Sequence, residues 1–512
     1  MTSPDTVVVI LAAGKGTRLK SDLAKVLHRA GGRPLVEHVV RACQPLGAAE
    51  ILVVVGHQAE DVSAAVTPLG AKTVLQEPQA GTGHAMQVAR RAIGTRAKYV
   101  VVLPGDAPLI RTETLAGLMN LHRTGQAAAT ILSAKLENPT GYGRIIRKPG
   151  GSVAAVVEEK AADESQRAIQ EINSSVYCFT LEKLWPCLEA LRPENFHNEL
   201  YLTDAIALLN EHNEKVLAQV APDANEIIGC NTRVELAEVD RVFRRRKAVE
   251  LMESGVTIYL PDTVLVDPDV EVGRDSLIEP GVQLLGKTRI GAGCTIRTGS
   301  VLVDAVLAEG VHVRQHCVIA SSILGPQTIA GPFAHIREGA ELKAEARVGN
   351  FVEVKKSTLH EGVKAMHLTY LGDATIGRKS NIGAGTITCN YDGTNKNATI
   401  IGERVFIGSN SALVAPVKIG DGAYIAAGST ITASVPADAL AIARGRQINK
   451  EGLVAERRAR AAQSKSRGAD VDNPPAANHS PAKPEDDSSA VEKSQQKQQP
   501  ASRKRTKPIS HG

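Results

Sequence analysis

Four apolar, β-branched runs mark the first hundred or so residues: VVVIL at 7–11, ILVVVG at 51–56, KTVLQ at 72–76 and KYVVVLPG at 98–105. Between and after them apolar residues recur at helical spacing, near 34–46, 58–68, 84–93 and 112–123. Continuous apolar strands alternating with amphipathic helices predict a parallel sheet covered on both faces, an α/β domain of Rossmann-like type. In such sheets a ligand lies beyond the carboxyl ends of the strands. Gly14 and Asp106 each stand just after a strand, so one crevice is expected to hold both. From 232 to 254, TRVELAEVDRVFRRRKAVELMES predicts a connector helix with Leu236, Val239 and Phe243 on one face. Its Arg244–Lys247 run reads as a solvated face.

The period then changes. Large aliphatics recur every six positions at Ile401, Ile407, Leu413, Ile419, Ile425 and Ile431, and Val405, Ser411, Val417, Ala423, Ser429 and Val435 follow four places after each. Shorter runs with the same step occur at Ile290, Ile296 and Leu302, and at Leu342, Val348 and Val354. A hexapeptide period predicts a parallel β-helix, in which six residues form one face of a triangular coil and the aliphatic points to the axis. By itself the repeat implies a scaffold and no chemistry.

Composition narrows the class. The chain has 512 residues, enough for two or three domains. Its formal charge is only +5, with much of the basic excess near the end, so no overall nucleic-acid footprint is present. Seven cysteines (43, 178, 187, 230, 294, 317 and 389) form no Cys-x-x-Cys pair, and their odd number argues against a disulfide framework. The run Val7–Ala13 is short and has no basic residue before it, a poor signal peptide, and no stretch is long and apolar enough to span a membrane. A cytoplasmic location is expected. Beyond 452 the pattern dissolves into NPPAANHSPAKPEDDSS and ASRKRTKP, with no aromatic residue after Tyr424, so 453–512 is expected to be a disordered basic tail.

The candidate chemistry begins at LAAGKGTR, 11–18, directly after the first strand. Glycines let a backbone turn tightly and present bare N–H groups to an anion. A P-loop needs four residues between Gly and Gly-Lys-Ser/Thr, whereas Lys15 falls between the glycines. The dinucleotide fingerprint needs Gly or Ala three places after Gly16, where Leu19 stands. What is left is a nucleotide loop of another kind or an ordinary tight turn.

LAAGKGTR, SDLAKVL with Lys25, QAGTGHA after Gln76 and LPGDAPL with Asp106 together resemble sugar-phosphate nucleotidyltransferases. Attack of a sugar phosphate on the α-phosphorus of a nucleoside triphosphate is driven by positioning and charge neutralisation. Gly14 to Thr17 can donate N–H groups, Arg18 and Lys25 can supply catalytic positive charge, and Asp106 can hold Mg²⁺. The second half adds REGAEL, GNFVEVKK, HLTYLGDATIG and NIGAGTITCNYDGTNK among hexapeptide repeats ending in IARGR. With both halves, residues from about 5 to 452 resemble the bacterial bifunctional N-acetylglucosamine-1-phosphate uridyltransferases/glucosamine-1-phosphate N-acetyltransferases. The resemblance implies synthesis of UDP-N-acetylglucosamine, a peptidoglycan precursor. Acetyl-CoA would acetylate glucosamine 1-phosphate, and UTP would then react with N-acetylglucosamine 1-phosphate, releasing pyrophosphate.

Carried over, the resemblance implies that Leu11, Ala12, Ala13, Gly14, Lys25, Gln76, Gly81 and Thr82 hold the nucleotide. Gly141 in GYGRI, Glu158 in VVEEK and Asn173 in EINSS would hold the sugar, and Asp106 with Asn231 in GCNTR would hold Mg²⁺. Pro104 stands where some members carry Tyr, so only a backbone contact is carried over there. His367 would be the base that takes a proton from the sugar amine, which suits an imidazole working near neutral pH. Three residues before Tyr370, it is expected in an insertion outside the repeat. Arg337, Lys355, Tyr370 and Asn381 would bind the sugar phosphate, and Ala384, Asn390, Tyr391, Ser409, Ala427 and Arg444 would line the acetyl-CoA groove. The resemblance further implies a left-handed β-helix and a homotrimer whose neighbours share each site. The implied domains are 1–231 uridyltransferase, 232–254 connector, 255–452 acetyltransferase and 453–512 tail. The nearest alternative is a nucleotidyltransferase of one activity whose β-helix only supports or regulates it.

Overall fold

The computed structural model describes residues 3–193 and 198–469. The four apolar runs form the strands Ser3–Leu11, Ala48–Val55, Lys72–Leu75 and Tyr99–Pro104, all parallel, with Ser3–Leu11 between Ala48–Val55 and Tyr99–Pro104. The predicted helices are Leu35–Cys43, Ala59–Val66, Thr82–Ala89 and Thr112–Thr124. Alternation along the central strand sends Val8 and Ile10 to one face, against Val36, Val39 and Leu115. Val7 and Val9 go to the other, against Met86, Leu184 and Leu188. Both faces are therefore dry, and each fully buried aliphatic contributes about 1.5–3 kcal/mol.

The expectation of a parallel sheet holds only in part. Glu171–Thr180 runs antiparallel to both neighbours, Tyr99–Pro104 and Ala129–Lys135. It is reached through the hairpin of Arg144–Arg147 and Val153–Val157, whereas a parallel return needs a crossover helix.

Thr232 caps the connector helix Arg233–Glu253. Val239 is buried with Ala30, Leu35, Leu109 and Cys230, and Phe243 stacks on His38 at 4.0 Å. The solvated-face reading of its arginine run is overturned at two positions. Arg244 binds Asp240 (2.8 Å) and Asp267 (3.2 Å), and Arg246 donates to the Leu109 carbonyl (3.1 Å) and meets Asp223 (3.5 Å). The helix lies between the sheet half and the first coil, so its polar face meets carboxylates of both. A fragment ending at 253 is expected to fold and retain nucleotidyl transfer, whereas one ending at 232 bares Leu35, Leu109 and His38. The loss, on the order of 5 kcal/mol, would consume much of a typical domain's stability. Thermal melting and activity of the two fragments check this.

From Thr257 to Ala441 short parallel strands stack as a β-helix. Most strand partners stand 17 or 18 residues apart, as in Leu265↔Gln283 and Arg347↔Lys364. The six-residue repeat is borne out: Ile401, Ile407, Leu413, Ile419, Ile425 and Ile431 are all at most 4% exposed. The small position has its own logic, since an inward hydroxyl can bond a carbonyl of the next coil, as Ser300 does with Arg314 (2.9 Å) and Ser380 with Gly402 (2.8 Å). All seven cysteines are free, six of them buried.

The disordered-tail reading is corrected for its first part. Leu453–Ala469 is a helix, because LVAERRARAAQSKS holds strong helix formers and neither Gly nor Pro. Residues 470–512 of the expected tail lie outside the described residues.

Candidate functional site

At the carboxyl end of the central strand the loop is threaded between its neighbours. Gly105 N–H donates to Leu11 O (2.8 Å), Ala12 N–H to Val54 O (2.8 Å) and His57 N–H to Ala13 O (3.2 Å). A side chain at Gly14 would meet nothing within 4 Å, so the loop is open above it. Gly16 has φ +65°, and a Cβ there would overlap Cβ of Lys25. Gly16→Ala therefore costs about 1–2 kcal/mol of backbone strain and pushes Lys25 aside. A displacement near 1 Å in such a site costs on the order of 10² in rate, which steady-state nucleotidyl transfer will test.

Lys25 is the hub of this end. Its ammonium forms an ion pair with Asp106 and donates to Asn231 Oδ1 at 2.7 Å. Arg18 donates to the same Asn231 oxygen at 2.8 Å. The backbone is pinned as well, with Cys230 N–H donating to Asp106 O at 2.9 Å. Arg18, Lys25, Asp106 and Asn231, which are far apart in sequence, thus share one cluster. The oxygens of Asp106 and Asn231 both touch one ammonium, so they converge within reach of a single cation. A Cβ at Gly229 would lie 3.4 Å from the Asp106 carboxylate and 3.6 Å from the Asn231 amide, so the absence of a side chain leaves room between them. One carboxylate and one amide oxygen fit Mg²⁺, which takes few protein ligands and completes its shell with water and phosphate. No group of three or more His, Cys, Asp or Glu side chains suited to a metal occurs among the described residues.

Gln76 is buried, its amide donating to Gly81 O (2.9 Å) and lying 3.2 Å from His84 Nδ1. Gly81 has φ +101°, and a Cβ there would stand 2.5 Å from Leu200 O. Thr82 Oγ1 accepts from Leu202 N–H (2.9 Å). These residues brace the loop that faces 200–202. Asn173 is buried on the antiparallel strand, donating to Tyr177 Oη (2.8 Å). Burial, and then the charge of Asp204, raises the Glu158 carboxyl above its ordinary range. Gly141 is open, with φ +88°.

The second constellation lies on the β-helix. His367 belongs to the nine-residue strand Lys364–Gly372 and pairs with Asn350 in regular register, so the expected insertion is not there. The extra residues fall instead near 390–397, where partner spacing jumps to 25, as in Asn381↔Phe406. The strand bends through its corner at Leu368 (φ +35°) without gaining a residue. His367 Nδ1 lies 3.0 Å from Asn350 Oδ1. The register of neighbouring pairs carries the same stack on from His367 through Ala384, Ser409 and Ala427 to Ala443, which Arg444 follows directly. Arg444 closes it by donating to Ala427 O at 2.9 Å. An imidazole therefore heads a row of small residues with the Arg444 guanidinium at its far end.

Arg337 and Lys355 occupy equivalent places on adjacent coils. Arg337 donates to Glu353 (2.8 Å), which holds its guanidinium pKa above the ordinary value, and Lys355 meets Glu338 (3.4 Å). Tyr370 pairs with Glu353 and its hydroxyl lies 3.5 Å from the Asn390 amide, which also donates to Asp373 (2.5 Å). Tyr391 is exposed and donates to Gly393 O (2.6 Å). Asn381 is not brought to this group. It pairs with Lys364, on the face before the Leu368 corner, whereas Tyr370 lies after it. Asn350 and Glu235, which bonds the Asn231 backbone, were missed by sequence reasoning. Asn350 sits within the GNFVEVKK motif, one coil before His367, so the 17-residue step could have found it.

Comparison with known proteins bears on both constellations. Residues 8–175 match the MobA-like NTP transferase domain, 260–342 the GMPPB C-terminal domain, and 398–433 the bacterial transferase hexapeptide family of six repeats. The bifunctional protein GlmU of Koribacter versatilis is 47% identical over 462 residues, covering 90% of this chain and 98% of that protein. The GlmU of Anaeromyxobacter sp. is 49% identical over 457 residues, 88% of this chain and 93% of its own. That of Streptococcus agalactiae serotype V is 47% identical over 446 residues, 87% and 96% respectively.

Proposed function

This chain belongs to the family of bifunctional GlmU proteins, and from that premise we propose which of its residues carry each of the two reactions. The protein is a nucleotidyltransferase and acyltransferase that makes UDP-N-acetylglucosamine in two steps. The one-activity alternative falls, since bifunctional relatives match the chain through both halves.

In uridyl transfer a phosphate oxygen of N-acetylglucosamine 1-phosphate bonds to the α-phosphorus of UTP while the bond to pyrophosphate breaks. Arg18 and Lys25, already gathered at Asn231, offset the charge that builds on the phosphates. The open backbone at Gly14 receives the nucleotide, with Leu11 to Ala13, Gln76, Gly81 and Thr82 shaping its wall, and Gly141, Glu158 and Asn173 hold the sugar. Asp106 and Asn231 would hold Mg²⁺, which supplies neutralisation of phosphate charge.

In acetyl transfer the amine nitrogen of glucosamine 1-phosphate attacks the thioester carbon of acetyl-CoA, the C–S bond breaks and the coenzyme A thiolate leaves. His367 takes the amine proton. If its Nδ1–H donates to Asn350 Oδ1, the Nε2 lone pair is free for that proton. Arg337, Lys355 and Tyr370 bind the sugar phosphate, and the row Ala384–Ser409–Ala427, with Arg444, Asn390 and Tyr391, takes the acetyl donor. Because Asn381 lies round the corner from Tyr370, we assign its contact to a site completed by a second copy in a homotrimer. The exposed ladder of Phe333, Phe351 and Leu368 along that corner supports the contact. Light scattering of the full chain should give three times the chain mass. The proposed limits are 1–231 for uridyl transfer, 232–254 for the connector and 255–452 for acetyl transfer. Use of UTP and acetyl-CoA favours the cytoplasm, and no helix among the described residues is long and apolar enough to cross a membrane.

The observation that carries the reading is that one chain holds both the Arg18–Lys25–Asp106–Asn231 cluster and His367 at the head of a row of small residues. Assays of pyrophosphate release and free coenzyme A on one preparation test it. Finding only one activity would overturn it.

A further inference from the structure

The start of the connector helix touches the cation cluster in a way that capping alone does not require. Thr232 Oγ1 accepts from Glu235 N–H (3.2 Å), and Glu235 Oε2 accepts from Thr232 N–H (2.8 Å), which together make a capping box. The same Oε2 takes a second, shorter bond, 2.6 Å, from the N–H of Asn231, a residue outside the helix. On its other side, Asn231 follows Cys230, whose N–H is held by Asp106 O. The Asn231 peptide is thus fixed from both directions while its side-chain oxygen faces Lys25 and Arg18. The helix that carries Glu235 is itself anchored further along. Asp240 accepts from Gly31 N–H at 2.7 Å and Arg244 bridges Asp240 and Asp267.

We propose that Glu235 is a positioning residue for uridyl transfer: its carboxylate holds the Asn231 peptide so that Asn231 Oδ1 stays beside the Asp106 carboxylate as one metal-binding pair. This rests on the reading of Asp106 and Asn231 as Mg²⁺ ligands. An anionic acceptor makes a short, strong bond to an N–H, so it restricts the Asn231 backbone more than water would. Partners of this kind, one shell away from the metal, commonly set ligand orientation and affinity.

The test measures Mn²⁺ binding to the full chain by the electron paramagnetic resonance signal of the free ion, with UDP-N-acetylglucosamine present. Glu235→Ala should weaken binding about tenfold, the lower end of losses seen when such a partner is removed. Glu235→Gln, which keeps an oxygen acceptor, should recover most of it. Thr232→Ala removes the hydroxyl of the capping box but leaves the bond to Asn231, so it should lower the melting temperature and leave Mn²⁺ affinity alone. Acetyl transfer should persist in all three. Unchanged affinity in Glu235→Ala, or an equal loss in Thr232→Ala, would make Glu235 a helix cap and overturn the proposal. Asn231→Ala separates the two levels: if it fails to weaken Mn²⁺ binding, the metal reading beneath the proposal falls.

Discussion

Asp106→Asn should reduce uridyl transfer by at least about 10², the scale on which a preorganised charge contact in a transition state is lost, and should leave acetyl transfer intact. The substitution is nearly isosteric, and the Asp106 carbonyl would still accept from Cys230 N–H. The fold should therefore survive while the site loses the carboxylate that pairs with Lys25. Two effects add. The Asp106–Asn231 pair proposed to hold Mg²⁺ loses its charge, which would weaken binding of the metal. Lys25 loses its ion-pair partner and is held only by its bond to Asn231 Oδ1. Raising Mg²⁺ should recover part of the rate, because only one ligand has been weakened. Equal loss of pyrophosphate release and coenzyme A release would mean instead that the residue supports the whole molecule.

His367→Ala should lower acetyl transfer by about 10²–10⁴, the usual worth of a positioned general base. The imidazole is exposed at the corner of its coil and its side chain meets Asn350, so little packing is removed. Uridyl transfer and the mass of the assembly should not change. The pH profile adds a readout that packing cannot imitate. An imidazolium cannot accept a proton, so the wild-type rate should fall on acidification. The variant's residual rate should lack the imidazole-dependent part of that limb. Near-normal acetyl transfer with the acid limb intact would assign the base to another group and leave His367 a corner residue.

Much of this was legible from local pattern. Strands buried on both faces must be apolar throughout, so VVVIL and KYVVVLPG announced the sheet without a partner in view. A coil of three six-residue sides repeats its inward aliphatic at fixed steps, so Ile401 to Ile431 announced the β-helix. The motifs around Lys25, Asp106 and His367 carried the family, because residues that touch a ligand are constrained one by one. The antiparallel course of Glu171–Thr180 was not legible, since strand direction depends on whether the chain returns by a hairpin or a crossover.

The sequence by itself determined the two architectures, the connector helix and the kinds of side chain available for two chemistries, because periodicity and residue type are local properties. Only the tertiary structure decided what those side chains meet. Lys25 reaches Asn231 across more than two hundred residues, and Arg244 and Arg246 leave the solvent for carboxylates of either half. His367 occupies an ordinary coil position and gains its setting from Asn350 and the small residues stacked beyond it. Asn381, close to Tyr370 in sequence, is turned away by the corner at Leu368. These are questions of direction and register, set by how strands and helices pack against one another, and a linear pattern of apolar and polar residues does not contain them.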